Sequence, residues 1–571
     1  MDRKCIAVVP TSERNARRRL FDALEEAFPV RFVGRDAHEN GGVDAALLLP
    51  GSGPHAAAIP EHLPRLTAVA EEGAAAAPAG LGATSGADGP RLALGTSAPL
   101  DRRLRGQRLR DASAAAARAL SVGDAHVVLA ARGEDALWLA RPAARGPHDV
   151  VAVAPAELGE DETLRDRLRD GRFLALAALV HFVRAVCAEA GWRPPPLRAC
   201  LLFDDPNLHW TSYGYLPYRE LVRQADLHDY HVAFATVPLD GWFAHPSTAR
   251  LFRERADRLS LVVHGNDHTR LELARPFGAD ERRALLAQAL RRTAAFERRS
   301  GVPVDRIMVA PHGVCSQEMA HDLVPLGFEA LCISRPYPWL ARPPHSWLTR
   351  PAGSSPLAAW DPASVVDNGL PVILRRGFAD PDEDLALRAF LDQPLIVYGH
   401  HGDMRDGLDR LAQIAGLIGR LGDVQWTSLG EIAASNVTTR QEGDALRVRM
   451  FSRRAQVQVP AGVDQLVVET PSLEAHSGVD AMTWTSEPAD PAAGRRDGLS
   501  PVGPSAEPIA LPDGTRGVEL RLVRSGAPDP AAIRPPATLR WAIARRLIGE
   551  GRVRLVPVYR RTTRRAERAR G

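Results

Sequence analysis

Between Ala199 and Asn436 the chain repeats one pattern seven times, and that repetition limits its folds more than any other feature. Short apolar segments, "ACLLF", "HVAFATV", "LSLVVHG", "RIMVAP", "EALCIS", "PVILRRG" and "LIVYGH", are mostly separated by helical stretches such as Asp280 to Arg299 and Arg405 to Leu421. Apolar strands joined by helical crossovers predict a parallel sheet within an α/β architecture, either open or closed as a barrel.

The flanks differ from this centre. A chain of 571 residues is long enough for about three domains. Residues 1–190 read as an N-terminal α/β domain: "CIAVVP", "VDAALLLPGSG", "HVVLAARG" and "DVVAVAP" as strands, with helices over Ser12 to Phe28 and Glu162 to Ala190. An alanine- and glycine-rich stretch at 71–90 interrupts it and predicts a loop or linker. Three consecutive prolines, Pro194 to Pro196, mark the boundary to the central domain, 191–436. From 437 to 571, segments such as "RVRMF", "AQVQVP", "DQLVVETP" and "GVELRLV" alternate apolar and polar residues, the signature of a β-rich domain. It closes with a short amphipathic helix in "ATLRWAIARRLIGEG", a strand in "RVRLVPVY" and a basic tail.

Composition excludes several classes. A formal net charge of +3 over this length points to no polyanionic partner such as nucleic acid. The cysteines, Cys5, Cys187, Cys200, Cys315 and Cys332, form no close-spaced pair and read as small buried apolar residues. The longest apolar run, Phe173 to Val183, is too short to span a bilayer, and the opening "MDRKCIAVVPTSERN" lacks a signal-peptide core. A cytoplasmic location is therefore expected, and oligomeric state is left open.

Chemistry enters where the central strands end. Asp204 and Asp205 close the first, and His264 and His268 close the third. Pro311 and His312 close the fourth, while His400, His401 and Asp403 close a late one. In parallel α/β sheets and barrels that carboxyl edge gathers the active-site loops, so these groups are expected to converge. Two adjacent buried carboxylates repel, and a metal ion relieves that cost. Two imidazoles at i and i+4 with one carboxylate form a ligand set for zinc, with cobalt, nickel or manganese as alternatives. Open positions on such an ion let it acidify a water into a nucleophile. The second carboxylate can then act as base, and a histidine can protonate the leaving group.

With these residues in place, the chain resembles the polysaccharide deacetylases of the chitooligosaccharide deacetylase homology type, over roughly Ala199 to Asn436. "LFDD" matches the family's first motif, which implies Asp204 as catalytic base and Asp205 as metal ligand. "HGNDH" matches the second, implying His264 and His268 as ligands, with Gly265 where the family has a hydroxyl residue. "VAPHG" is similar to the third and implies Pro311 and His312 at the substrate, but Val309 stands where the family has an arginine that orients the base. "LIVYGHH" implies His400, or else His401, as general acid. No counterpart of the family's fourth motif is seen around "ISRPYPW". In the loop after the first strand, Asn207 and Trp210 are candidate substrate contacts. Trp210 and Tyr213 either stack on a sugar ring or cap the barrel rim.

The resemblance implies a distorted (β/α) barrel of the glycoside hydrolase and deacetylase type and a metal-dependent hydrolase. Its reaction would remove an acyl group, N-acetyl by the family's habit, from a carbohydrate or another acylated substrate. Two alternatives remain open. A glycosidase would use two carboxylates across the scissile bond, but that leaves the His264–His268 pair without a role. A catalytically inactive carbohydrate-binding or scaffold protein would retain the metal site alone.

Overall fold

The computed structural model describes residues 3–551 and 553, except for 35–41, 70–90, 142–146, 170–172, 335–347, 350–363, 471–478, 503–506 and isolated gaps of one or two residues. The 71–90 loop, the "PYPW" of the motif-four region, the basic tail and all but Val553 of the strand expected over 552–559 fall outside the described residues. The chain divides into two compact units. One comprises Met1–Arg193 with Gly353–Asp361 and Pro381–Asp392; the other comprises Pro194–Ala352, Pro362–Asp380 and Gln393–Gly571.

The first unit is built on a nine-stranded mixed sheet. Its half around Lys4–Val9 is parallel, and its half around Val127–Arg132 is antiparallel. The helix expected over Glu162 to Ala190 is two helices, Leu164–Arg169 and Leu174–Val186. The second is nearly all apolar and is buried along most of its length, as an all-round hydrophobic helix must be.

The second unit holds a closed barrel of seven parallel strands: β1 (Leu197–Asp204), β2 (Val232–Thr236), β3 (Leu259–His264), β4 (Asp305–Val309), β5 (Ala330–Ile333), β6 (Pro371–Gly377) and β7 (Leu395–Gly399). Each pairs with the next, and β5 pairs with β6 while β7 pairs with β1, which closes the ring. All seven segments of the sequence pattern are therefore barrel strands.

Side-chain alternation decides what the lumen contains. One core cluster takes residues from all seven strands, including Cys200, Leu202, Ala233, Ala235, Val262, Val309, Cys332, Ile373 and Ile396. Many are small, which suits the narrow interior of a small barrel. The opposite parity faces the helices, where Phe203 stacks on Phe234 at 6.1 Å and the rings of Phe234, Tyr218 and Phe252 meet at angles, with centroids 5.4–5.5 Å apart. The short helix Leu429–Ala434 adds Leu429, Ile432 and Ala433 to the luminal cluster. Its Gly430 N–H donates to Asp305 Oδ2, 3.0 Å away at the start of β4, so it covers the amino end of the barrel. The carboxyl end is left for polar residues.

Residues 437–524 form two four-stranded sheets. Alternating residues from both, such as Leu446, Val448 and Met450 with Val457, Val518, Leu520 and Leu522, make one core, the arrangement of a β-sandwich. A final helix covers residues 540–551.

Candidate metal and catalytic site

The parity that fills the lumen also aims the site residues. Asp204 follows Cys200 and Leu202 in steps of two, His264 follows Val262, and Arg375 follows Ile373. Each comes two positions after an apolar luminal residue, towards the carboxyl end of its strand, and the three are 1–4% exposed at the side chain. Asp205 lies one residue past the strand end, turned into the left-handed region at φ 78°. His268 (φ 52°) and His312 (φ 61°) share that uncommon conformation. Such backbone is held only where its surroundings over-determine it.

The holding is visible around His268. The loop from His264 is folded over the carboxylate of Glu272, which is 1% exposed. Glu272 accepts the backbone N–H groups of Asn266 (2.9 Å), Asp267 (2.8 Å) and His268 (3.2 Å). Asn266 also donates to Gln288, and Arg292 donates to Asn266 Oδ1 at 2.7 Å. Gly265 is required here. It sits at φ 62°, and a Cβ would lie 2.3 Å from Glu272 Oε2 and 2.6 Å from Pro311 Cγ. The position that carries a hydroxyl residue in the family pattern has no room for one in this chain.

Asp205, His264 and His268 bring one ligand atom each to within 4.8 Å of one another. That is near the span of two metal–ligand bonds of about 2.0–2.2 Å. The donor chemistry fits a divalent ion. His264 Nδ1 is 2.9 Å from the Val309 carbonyl oxygen and donates to it, which directs the lone pair of Nε2 into the site. That Nε2 is buried without a hydrogen-bond partner among the described residues, and it lies 4.0 Å from Asp204 Oδ2. His268 Nε2 lies 3.5 Å from Asp205 Oδ1. Burial and the neighbouring His264 push the His268 pKa down to about 3, and burial also lowers that of His264. Both rings are thus neutral at physiological pH, the form that binds metal.

Each carboxylate is held ionised with its own arginine among its partners, and His264 acts on both. Burial alone would raise the Asp204 pKa, but Arg375 and His264 outweigh it and the carboxyl is lowered. Arg375 Nη1 donates to Asp204 Oδ1 at 2.6 Å, and its guanidinium lies 3.9 Å from the Tyr398 ring centroid. A residue on β6 therefore sets a guanidinium against Asp204, where Val309 at the motif position has none. For Asp205, burial is likewise outweighed, here by His268, Arg546 and His264. Arg546, on the helix 540–551, donates from Nη1 to Asp205 Oδ1 at 3.0 Å and from Nε to Asp240 Oδ2 at 3.0 Å.

The other expected residues are placed less uniformly. Pro311 is buried, and the exposed His312 has its ring 5.0 Å from that of His268. Asn207 is buried, donating to Glu550 at 2.6 Å and accepting the His209 N–H at 3.2 Å. Trp210 is 53% exposed. His400, just past β7, is exposed, and its N–H donates to Asp403 Oδ2 at 2.8 Å. His401 is half-buried, edge-on to the Tyr213 ring at 5.4 Å and stacked on that of Tyr215 at 5.9 Å, with Nδ1 buried and unpartnered among the described residues. Sequence reasoning missed Arg375, Glu272, Asp240, Arg546 and Glu550. Only Arg375 left a signal, an arginine pair closing an otherwise apolar strand. A cavity of about 470 Å³ in the first unit, lined by residues including Asp101, His181 and Arg184, contains none of these groups.

No family model and no curated protein matches the sequence. Among solved structures, a family 4 carbohydrate esterase from Streptomyces lividans in complex with acetate is 10% identical, covering 41% of this chain and 94% of that one, with a TM-score of 0.25. A family 4 acetyl xylan esterase from Clostridium thermocellum in complex with a cobalt ion is 14% identical, covering 41% and 89%, at a TM-score of 0.24. A CE4 family pseudoenzyme from Bacillus anthracis is 13% identical, covering 43% and 67%, at 0.24. At such values the functional reading rests on the residues themselves.

Proposed function

We propose that the chain is a divergent member of the polysaccharide deacetylase family, and that it removes an acyl group, N-acetyl in the first instance, from a carbohydrate. The observation that carries this reading is the convergence of Asp205, His264 and His268 at the barrel mouth beside a second carboxylate, Asp204, held by a buried arginine. Those three residues would hold a divalent metal, zinc being the first choice for two imidazoles and one carboxylate. Such an ion supplies a Lewis acid that polarises a carbonyl and acidifies water.

The chain's own residues supply the rest. Asp204 Oδ1 is occupied by Arg375, which leaves Oδ2 to accept the proton lost by the attacking water. His400 or His401, at the end of the strand beside β1, delivers a proton to the departing amine. The exposed Trp210 offers an apolar face to a sugar ring, and His312 borders the ligand cluster.

The test is acetate release from N-acetylated oligosaccharides by metal-loaded protein, with Asp204→Asn and His264→Ala as controls. Asp204→Asn should lose roughly 10²–10⁴-fold in rate, as expected when a positioned base is removed. Absence of bound metal and of acetate release would sink the reading. Reducing ends appearing without acetate would instead assign a glycosidase.

A further inference from the structure

The helix 540–551 is built the reverse way from an ordinary surface helix. Ala542, Arg546 and Glu550, at i, i+4 and i+8, face the protein: Ala542 is 1% exposed, Arg546 engages Asp205 and Asp240, and Glu550 accepts from Asn207. Arg545 donates to the His268 carbonyl oxygen. The outward side carries Trp541, Ile543, Leu547 and Ile548, which are 49%, 41%, 60% and 61% exposed. An amphipathic helix normally buries its apolar stripe, so a helix held by its charges presents that stripe to something else.

Barrel loops that the helix contacts carry further exposed apolar residues. Leu271, three residues from His268, is 42% exposed. Near the Glu550 end, Trp242 and Phe243 are 63% and 41% exposed, and both ring systems pack on His209, whose Nδ1 is 3.4 Å from Glu550. All of these residues belong to the same compact unit.

Charge indicates which partner such a surface fits. The last twenty residues, 552–571, contain eight arginines and one glutamate, a net +7. Against +3 for the whole chain, the remaining 551 residues carry a net −4, so the positive charge is concentrated in the sequence directly after this helix. Tryptophan, leucine and isoleucine next to an arginine-rich segment match the chemistry of an anionic bilayer surface, whose acidic headgroups attract arginine while its acyl boundary accepts apolar side chains. No helix among the described residues is long and apolar enough to cross a membrane, and in-plane contact requires none.

We propose that the helix 540–551 docks the protein on an anionic lipid surface. Trp541, Ile543, Leu547 and Ile548 enter the headgroup layer, and the mouth of the barrel site lies at the bilayer. This extends beyond the hydrolytic reading and does not depend on it, because docking is measured without turnover.

The experiment is co-sedimentation of the full chain with phosphatidylcholine vesicles, with and without phosphatidylglycerol, beside the double variant Leu547→Glu, Ile548→Glu. Both substituted side chains are exposed, so the melting temperature should not change. The wild-type chain should partition onto the anionic vesicles and weaken with salt, and the variant should bind at least about tenfold less. Equal binding by wild type and variant, or no binding to anionic vesicles, would overturn the proposal. So would a wild-type dimer that the variant abolishes with no vesicle binding by either, which would give the stripe to a second copy.

Discussion

Replacing Arg375 by methionine tests the electrostatic core of the site without reference to any reaction. The methionine keeps much of the arginine stem over Tyr398 but removes the cation 2.6 Å from Asp204. Both side chains are almost wholly buried, at 1% and 4% exposure, so solvent cannot take over the lost charge. Removing one partner of a buried pair typically costs about 3–5 kcal/mol. A second limit comes from the carboxyl itself, which escapes the penalty by taking up a proton. At pH 7 that means protonating a group roughly 3 pH units above its unperturbed pKa, and at about 1.4 kcal/mol per unit the loss is capped near 4 kcal/mol. At pH 5 the cap falls to under about 2 kcal/mol. The sign agrees with linkage: Asp204 is lowered in the folded wild type, so its stabilisation is present above the unfolded pKa and lost as pH falls through the folded one. The assay is urea unfolding of wild type and Arg375→Met in chelator at pH 7 and pH 5, with Arg375→Met, Asp204→Asn as the compensated variant. The double variant should recover most of the loss. A single-variant loss below about 1 kcal/mol at pH 7, or one equal at both pH values, would refute the argument.

Divalent zinc should raise the melting temperature of the wild type but not of Asp205→Ala or His264→Ala, as differential scanning fluorimetry would show; equal shifts would place the ion elsewhere. His268, at about 3 against an unfolded 6.5, stays neutral in the folded metal-free chain while the unfolded chain takes up a proton. The wild type should therefore lose roughly 2 kcal/mol between pH 7 and pH 5 relative to His268→Gln, and parallel pH profiles for the two would contradict that. Gly265→Ser should destabilise by about 1–3 kcal/mol and weaken zinc binding, because its Cβ meets Glu272 and Pro311 at a positive φ. Thermal melts and zinc titration check both effects, and a neutral substitution would mean that the loop has room to relax.

The barrel and the heart of the site were legible in the sequence because both are written in local rules. Apolar runs between helical stretches identify all seven barrel strands. In a parallel barrel the polar residues just after those runs gather at the carboxyl end. That is why Asp204, Asp205, His264 and His268, up to 64 positions apart, could be expected together. Tertiary structure alone decided which charges complete them. Val309 marked a missing arginine, but no periodicity says that β6 returns one across the lumen, since an ion pair bridging 171 positions exists only once the ring is closed. The same holds for Arg546, 341 positions from Asp205. Its helix reads as an ordinary amphipathic segment, and nothing along the chain reveals that the charged face is the one turned inward. Hydrophobic pattern is a property of neighbours and survives in one dimension. Charge pairing is a property of distance, and only the folded chain sets it.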